Sequence, residues 1–303
     1  MGHPWRTRVV ATIPVAHGPE AVVVDSGRNR VYVAPDVGQT ITVINGRRNE
    51  VVGELGPTSA QRLSIADLAI DATRNAIYTT NLGDRHVYRV DVRTNKVTVS
   101  PQLPIVATHV ALNSRTHLVY VTGEDSTSML VLNGRTLRVE ATVALPEPGW
   151  SLAVNECTDT IYVATVNGQH VLVVDGHRYR TTGSIEVPTS AVELAVDERT
   201  DRIYAAGYDR VAVIDTRNES VIATVDLPGV VGGLAVNERT NRVYVTNLDP
   251  SGPNTVSKIN GRSNKEVARV NVGLVPAALA VNARTFTTYV ANLQGNSVSV
   301  IKN

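Results

Sequence analysis

The sequence predicts an all-β fold: a single seven-bladed β-propeller, four antiparallel strands per blade, with the N-terminal strand completing the last blade. Three observations predict it. A tyrosine recurs in matched context at Tyr32, Tyr78, Tyr120, Tyr162, Tyr204, Tyr244 and Tyr289, at intervals of 46, 42, 42, 42, 40 and 45 residues. An Asp or Asn stands seven residues before each, at Asp25, Asp71, Asn113, Asn155, Asp197, Asn237 and Asn282. Residues 8–15 (RVVATIPV) match the end of an internal unit (SVIATVDL, 220–227) and have nothing before them to pair with. Self-similarity at one fixed period is the mark of a repeat architecture.

Each unit supplies four short strands in order. The first is an apolar run ending in an Asx residue, as in GGLAVN at 232–237, whose side chain can bond the backbone ahead and start a turn. The second is of the type RVYVTN at 242–247, and the third of the type VAVID at 211–215, followed by a polar turn. The fourth is of the type VIATVDL at 221–227. Val and Tyr suit a pleated, packed surface, and no segment shows a helical period. The last unit stops after a third strand, SVSVI at 297–301. Residues 8–15 are therefore expected to close the blade formed by 277–303, which leaves no open sheet edge and makes 1–303 one domain.

Composition bounds the partners. The chain has 303 residues, 29 basic and 28 acidic, with a formal net charge of +1. That length can bury a large core, and the balance argues against a generally basic nucleic-acid binder and against an acidic disordered chain. No apolar run reaches the ~18 residues of a membrane span. No apolar stretch follows the first basic residues, so a cytoplasmic location is expected. A single cysteine, Cys157, excludes an internal disulfide framework and a Cys-rich zinc site. The expected partner is a small molecule, with a protein partner as the other candidate.

The segment VYVTN at 243–247, followed by ING at 259–261, resembles the YVTN-type β-propeller repeat family. Degenerate copies at 31–33, 77–81, 119–122, 161–164 and 289–292 extend the resemblance over the full length. The resemblance implies seven blades. It implies little about activity, because such repeats serve as surface modules, interaction modules and parts of enzymes. Function has to be argued from the site.

Position-by-position comparison of the units locates a candidate site. In a propeller the first strand of each blade lines the central channel. Nine residues before the repeat tyrosine stand Val23, Ala69, Ala111, Ala153, Ala195, Ala235 and Ala280, small side chains that fit crowding near the axis. Eleven residues before it the ring reads Ala21, Asp67, His109, Ser151, Glu193, Gly233 and Ala278. Four neighbouring blades thus offer a carboxyl, an imidazole, a hydroxyl and a carboxyl at one level, while the other three leave room. Asp, His and Glu are the usual general acids and bases, so Asp67, His109 and Glu193 are the catalytic candidates, with Ser151 orienting the substrate. Hydration of a polar channel accounts for the same ring without chemistry.

Around the channel mouth, Trp150, Arg62, His17, Glu124 and Tyr208 are candidates for holding the substrate. Trp150 adjoins Ser151 and serves either as an aromatic wall or as a cap between blades. His117 and His177 fall in turns of the opposite rim and are expected to be solvated, as is Cys157. No HExxH or Cys/His spacing occurs, so no metal ligand is named and no cofactor is required; a divalent metal would have to be assembled across blades. Two functions compete. One is a small-molecule enzyme using acid–base chemistry, metal-assisted or not, for hydrolysis, elimination, isomerisation or cyclisation. The other is a non-catalytic scaffold that binds a ligand or a protein.

Overall fold

The computed structural model describes residues 7–302 except 17, 37, 39, 57–64, 167 and 251. Its 28 strands, numbered in chain order, form seven four-stranded antiparallel sheets, and the described residues contain no helix. The first blade is β2 (Pro19–Asp25), β3 (Arg30–Pro35), β4 (Ile41–Asn45) and β5 (Glu50–Leu55). The innermost strands of the next five blades are β6 (Ile65–Asp71), β10 (His109–Asn113), β14 (Gly149–Asn155), β18 (Glu193–Asp197) and β22 (Leu234–Asn237). The seventh blade runs β26 (Pro276–Asn282), β27 (Thr287–Asn292), β28 (Ser297–Lys302) and then β1 (Arg8–Pro14). β1 pairs antiparallel with β28 from Arg8 opposite Lys302 to Pro14 opposite Ser297, so the two ends of the chain share one sheet.

The turns explain the recurring Asx residues. Asp71 Oδ1 accepts the backbone N–H groups of Thr73 and Arg74 at 3.0 and 2.9 Å. Asn155 Oδ1 accepts those of Cys157 and Thr158 at 3.0 and 3.1 Å. The side chain takes the donors that the turn frees from the ladder, the mechanism by which Asx residues start turns. The last residue of each such turn is left-handed, with φ of 52° at Asn29, 55° at Asn75 and 49° at Asn241. Asn tolerates that region better than most side chains.

The repeat tyrosines fasten blade to blade. The Tyr78 hydroxyl donates to the Gly134 carbonyl at 2.8 Å, and the Tyr289 hydroxyl to the Gly46 carbonyl at 3.3 Å, each reaching the next blade round the ring. Tyr120 donates instead to Asp159 Oδ1 at 3.1 Å. A buried phenol is best satisfied by such a partner, so these three tyrosines supply both bulk between sheets and direction, while the buried Tyr204 hydroxyl has no hydrogen-bond partner among the described residues. One expectation is corrected here: His117 is not simply solvated. Its Nδ1 lies 2.7 Å from Oδ2 of Asp71, a carboxylate with 0% exposure. Burial at the end of β6 leaves that oxygen in need of a partner, and the neighbouring blade's turn provides it.

The rims differ in charge. Loops entering first strands, and loops joining second to third strands, share the rim called here the mouth. Its described loops carry Asp36, Asp84, Glu124, Asp125, Glu147, Asp209 and Asp249 against Arg85, and Arg210, the first residue of the strand that follows Asp209, pairs with that carboxylate. Every turn of the opposite rim except the one holding Cys157 carries an arginine. A net charge of +1 therefore conceals an acidic face and a basic one. Among the described residues no helix is long and apolar enough to cross a membrane.

Candidate functional site

A cavity of about 420 Å³ opens on the axis at the acidic mouth, lined by the first strands of all seven blades or the residues leading into them. One wall is Asp67, His109, Trp150 and Glu193 from four successive blades; the opposite wall is small, with Gly232, Gly233, Ala277, Ala278 and Ala21. The small residues at the expected level thus make the space, and the large polar ones face it. Tyr208, 62% exposed, stands at the edge. A side groove of about 210 Å³, lined by Trp150, Thr165, Ser190, Val192 and Tyr208, leads off between the fourth and fifth blades.

Strand irregularities decide which side chains reach the cavity. The register shifts against the second strand between Pro19 and Ala21, Ile65 and Leu68, Gly149 and Leu152, and Pro276 and Ala278. A bulge adds a residue and re-aims the side chains beside it. In the fourth blade it brings Trp150 to the cavity wall, while Ser151 is 4% exposed and does not line the cavity. In the first blade it brings Glu20, one step outside the expected level, to the lining. Glu124 is exposed in its loop and is not part of the wall. His17 and Arg62 lie outside the described residues.

Hydroxyls one blade back hold this wall in place. The Thr80 hydroxyl donates to the Thr108 carbonyl at 3.0 Å, and the Thr122 hydroxyl to the Trp150 carbonyl at 2.7 Å. Both threonines stand two residues after their repeat tyrosine, where Ala34, Ala164, Ala206 and Ala291 occur in other blades. The sequence signal was present: a hydroxyl in place of alanine, in the blades that precede His109 and Trp150. His109 Nδ1 lies 3.1 Å from the Thr108 hydroxyl. Its ring packs on the Trp150 indole with centroids 5.1 Å apart.

Enclosure sets the protonation states. Burial pushes the Asp67 carboxyl up to about 7, against the downward pull of hydrogen bonds from the Val110 and Leu68 backbone N–H groups. Those bonds measure 2.9 Å to Oδ2 and 2.7 Å to Oδ1. Glu193 is raised well above the usual carboxylate range, first by burial and then by the charge of Asp67. Burial pulls His109 down to about 4. Glu20 is raised by burial and by Asp36. Near neutral pH the wall therefore presents a neutral imidazole, an Asp67 balanced between its two forms, and a Glu193 carboxyl that keeps its proton to higher pH than usual. Among the described residues no three His, Cys, Asp or Glu side chains are grouped so as to hold a metal ion.

No protein-family model and no curated protein matches the chain. Among solved structures the chain is similar to Kuenenia stuttgartiensis hydrazine synthase, with a TM-score of 0.80, 15% identity, and coverage of 94% of this chain and 96% of that one. In all, 1723 solved chains are similar, so the likeness speaks for a widely used scaffold. It supports the seven-bladed propeller architecture; membership of the YVTN-type family has no matching family model behind it.

Proposed function

We propose that this chain is an enzyme that works on a small organic molecule in the axial cavity by acid–base chemistry. The observation that carries the reading is one cavity wall on which a carboxyl that keeps its proton to unusually high pH and an imidazole held neutral face the same space. A group is an effective acid or base when its form at working pH is the one the step consumes. Glu193 gives the proton and His109 receives one. Asp67 positions His109, because its carboxylate holds the N–H of Val110, the residue after His109, in the strand. Trp150 and Tyr208 supply an apolar wall for the substrate's carbon frame. Hydrolysis, elimination, isomerisation and cyclisation share this paired proton transfer, and the proposal extends to that class.

A second reading, ligand binding without turnover, is favoured by one observation: both oxygens of Asp67 already serve backbone donors. The two readings separate in a turnover screen of small hydrolysable, eliminable and isomerisable compounds. Glu193→Gln and His109→Gln are compared with the wild type, with folding checked by circular dichroism. The enzyme reading expects a loss of about 10²-fold or more in each variant. Compounds that bind the wild type and are never turned over would leave the second reading.

A further inference from the structure

The axial cavity carries carboxyls and aromatics but no cationic side chain among its described lining residues. Glu20, Asp67 and Glu193 line it, and among its described lining residues there is neither Lys nor Arg. Glu193 has no hydrogen-bond partner among the described residues, and it is half-buried, with its carboxyl open to the cavity. A carboxyl so placed is met by whatever occupies the cavity. The aromatic faces of Trp150 and Tyr208 stand in the same lining. Around the mouth, the loop carboxylates add a negative field, opposed by Arg85 and by Arg210, which pairs with Asp209 at 3.0 Å. A cleft lined by one sign of charge concentrates ligands of the other.

From this arrangement we infer that the ligand of the axial cavity is a small organic cation, an amine or quaternary ammonium compound. The inference rests on the reading of the axial cavity as the functional site and adds the class of molecule it takes. An anion would meet three carboxyls with no counter-charge. A neutral molecule would leave Glu193 and Asp67 to repel one another whenever both ionise. A cation satisfies both observations at once: its charge sits against Glu193 and Asp67, and its carbon surface lies on Trp150, where a cation over an aromatic face gains about 0.5–2 kcal/mol. The small wall of Gly233 and Ala278 leaves the space for its substituents, and the side groove beside Trp150 takes a short arm.

The arrival of a cation favours the ionised carboxyls. Binding near neutral pH therefore releases a proton from the Asp67–Glu193 pair to solvent. The other groups facing that pair do not supply this proton: His109 is already neutral, and Glu20 lies on the first blade's side of the cavity beside Asp36.

Isothermal titration of the full chain with choline, and with its neutral isostere 3,3-dimethylbutan-1-ol, tests the inference. Titrations at pH 7 in phosphate and in MOPS, whose ionisation heats differ and which carry no net positive charge, count the protons released. The expected result is choline binding at least 10-fold tighter than the isostere, with proton release. In Glu193→Gln the affinity for choline falls at least 10-fold and less than half the proton release remains. Equal affinity for the two compounds, or choline binding with no proton release, overturns the inference. The wild-type comparison stands even where Glu193→Gln fails to fold. Turnover is not read, so the two proposals fail separately. A neutral or anionic substrate turned over through Glu193 and His109 overturns the cation and keeps the enzyme. Tight, proton-releasing choline binding without turnover of any amine does the reverse.

Discussion

The indole of Trp150 lies against the imidazole of His109, ring centroids 5.1 Å apart and planes inclined by 48°, so that two neighbouring blades share one wall of the axial cavity. The contact is held from behind. Thr122, in the same blade as His109, bonds the Trp150 carbonyl, and its backbone pairs with His109 across the sheet. The packing that shapes the wall also dries it, and a dry imidazole resists protonation.

Replacing the indole should therefore return His109 toward the ordinary histidine range. In Trp150→Ala water reaches the ring, and the His109 pKa should rise by at least one unit from its value of about 4. NMR titration of the imidazole carbon signals reads it directly. An unchanged value would mean that the strands, and not the indole, keep the ring dry.

Asp67 predicts a pH dependence of stability. Its folded pKa, about 7, is above the ordinary aspartate value of 3.8. Below the lower value both folded and unfolded chains are protonated. Between the two, the unfolded chain ionises while the folded one holds its proton, so stability declines as pH rises and levels off above about 7. His109 acts in the opposite sense: lowered from 6.5 to about 4, it loses stability as pH falls through that window. Asp67→Asn removes the first effect and, with the Asp67 charge, part of the upward push on Glu193, which acts in the same sense. The stability difference between variant and wild type, from urea unfolding at pH 5, 6, 7 and 8, should therefore move in the variant's favour by a few kcal/mol with rising pH. A difference constant over that range would show an Asp67 that ionises normally. The pH trend is the readout, because the amide also turns a donor toward Leu68 or Val110 and lowers stability at every pH.

How far the sequence carried this picture depends on what repetition can and cannot display. The blades, their order and the pairing of 8–15 with the last unit were legible, because each repeats a period-two strand and an Asx turn seven times over. The level of Asp67, His109 and Glu193 was legible for the same reason: a departure toward ionisable side chains is visible against the three small residues, Ala21, Gly233 and Ala278, at the same position. Glu20 was not, and Ser151 was placed on a wall it does not line. Both lie where the inner strand bulges, and there a residue beside the expected one reaches the cavity, in addition to it in the first blade and in place of it in the fourth, without a composition signal. Thr80 and Thr122 were legible in principle. Their hydroxyls replace alanine, yet threonine is so ordinary in a strand that its bond to the next blade became visible only with the blades in place.

The repeat tyrosines should differ in worth according to what they touch. Tyr78 donates to a neutral carbonyl, Gly134, while Tyr120 donates to the carboxylate of Asp159, which also accepts the Asn113 amide at 2.6 Å. Tyr78→Phe should cost about 1 kcal/mol and Tyr120→Phe about 1.5–3 kcal/mol, the range for a bond to a charged group. Urea unfolding of the two variants at pH 7 checks the order. Equal losses would show that the phenol's bulk, and not its hydroxyl, joins the blades.

Cys157 is exposed, yet its neighbours should slow its chemistry. Its thiol donates to Glu198 Oε2 at 3.0 Å, a bond the thiolate cannot make, and the carboxylate's charge opposes the thiolate further. Arg115, 3.6 Å from the sulfur on the other side, pulls the opposite way but more weakly, so the thiol pKa is raised. Because the thiolate is the reacting form, alkylation by iodoacetamide at pH 8 should be several-fold slower than for a free cysteine. Glu198→Gln removes the opposing charge and keeps a carbonyl oxygen for the Glu156 N–H that Glu198 now accepts, so it should restore most of that rate. Arg115→Ala should slow it further. A rate unaltered by Glu198→Gln would place the barrier in access to the sulfur, leaving the carboxylate without influence on it.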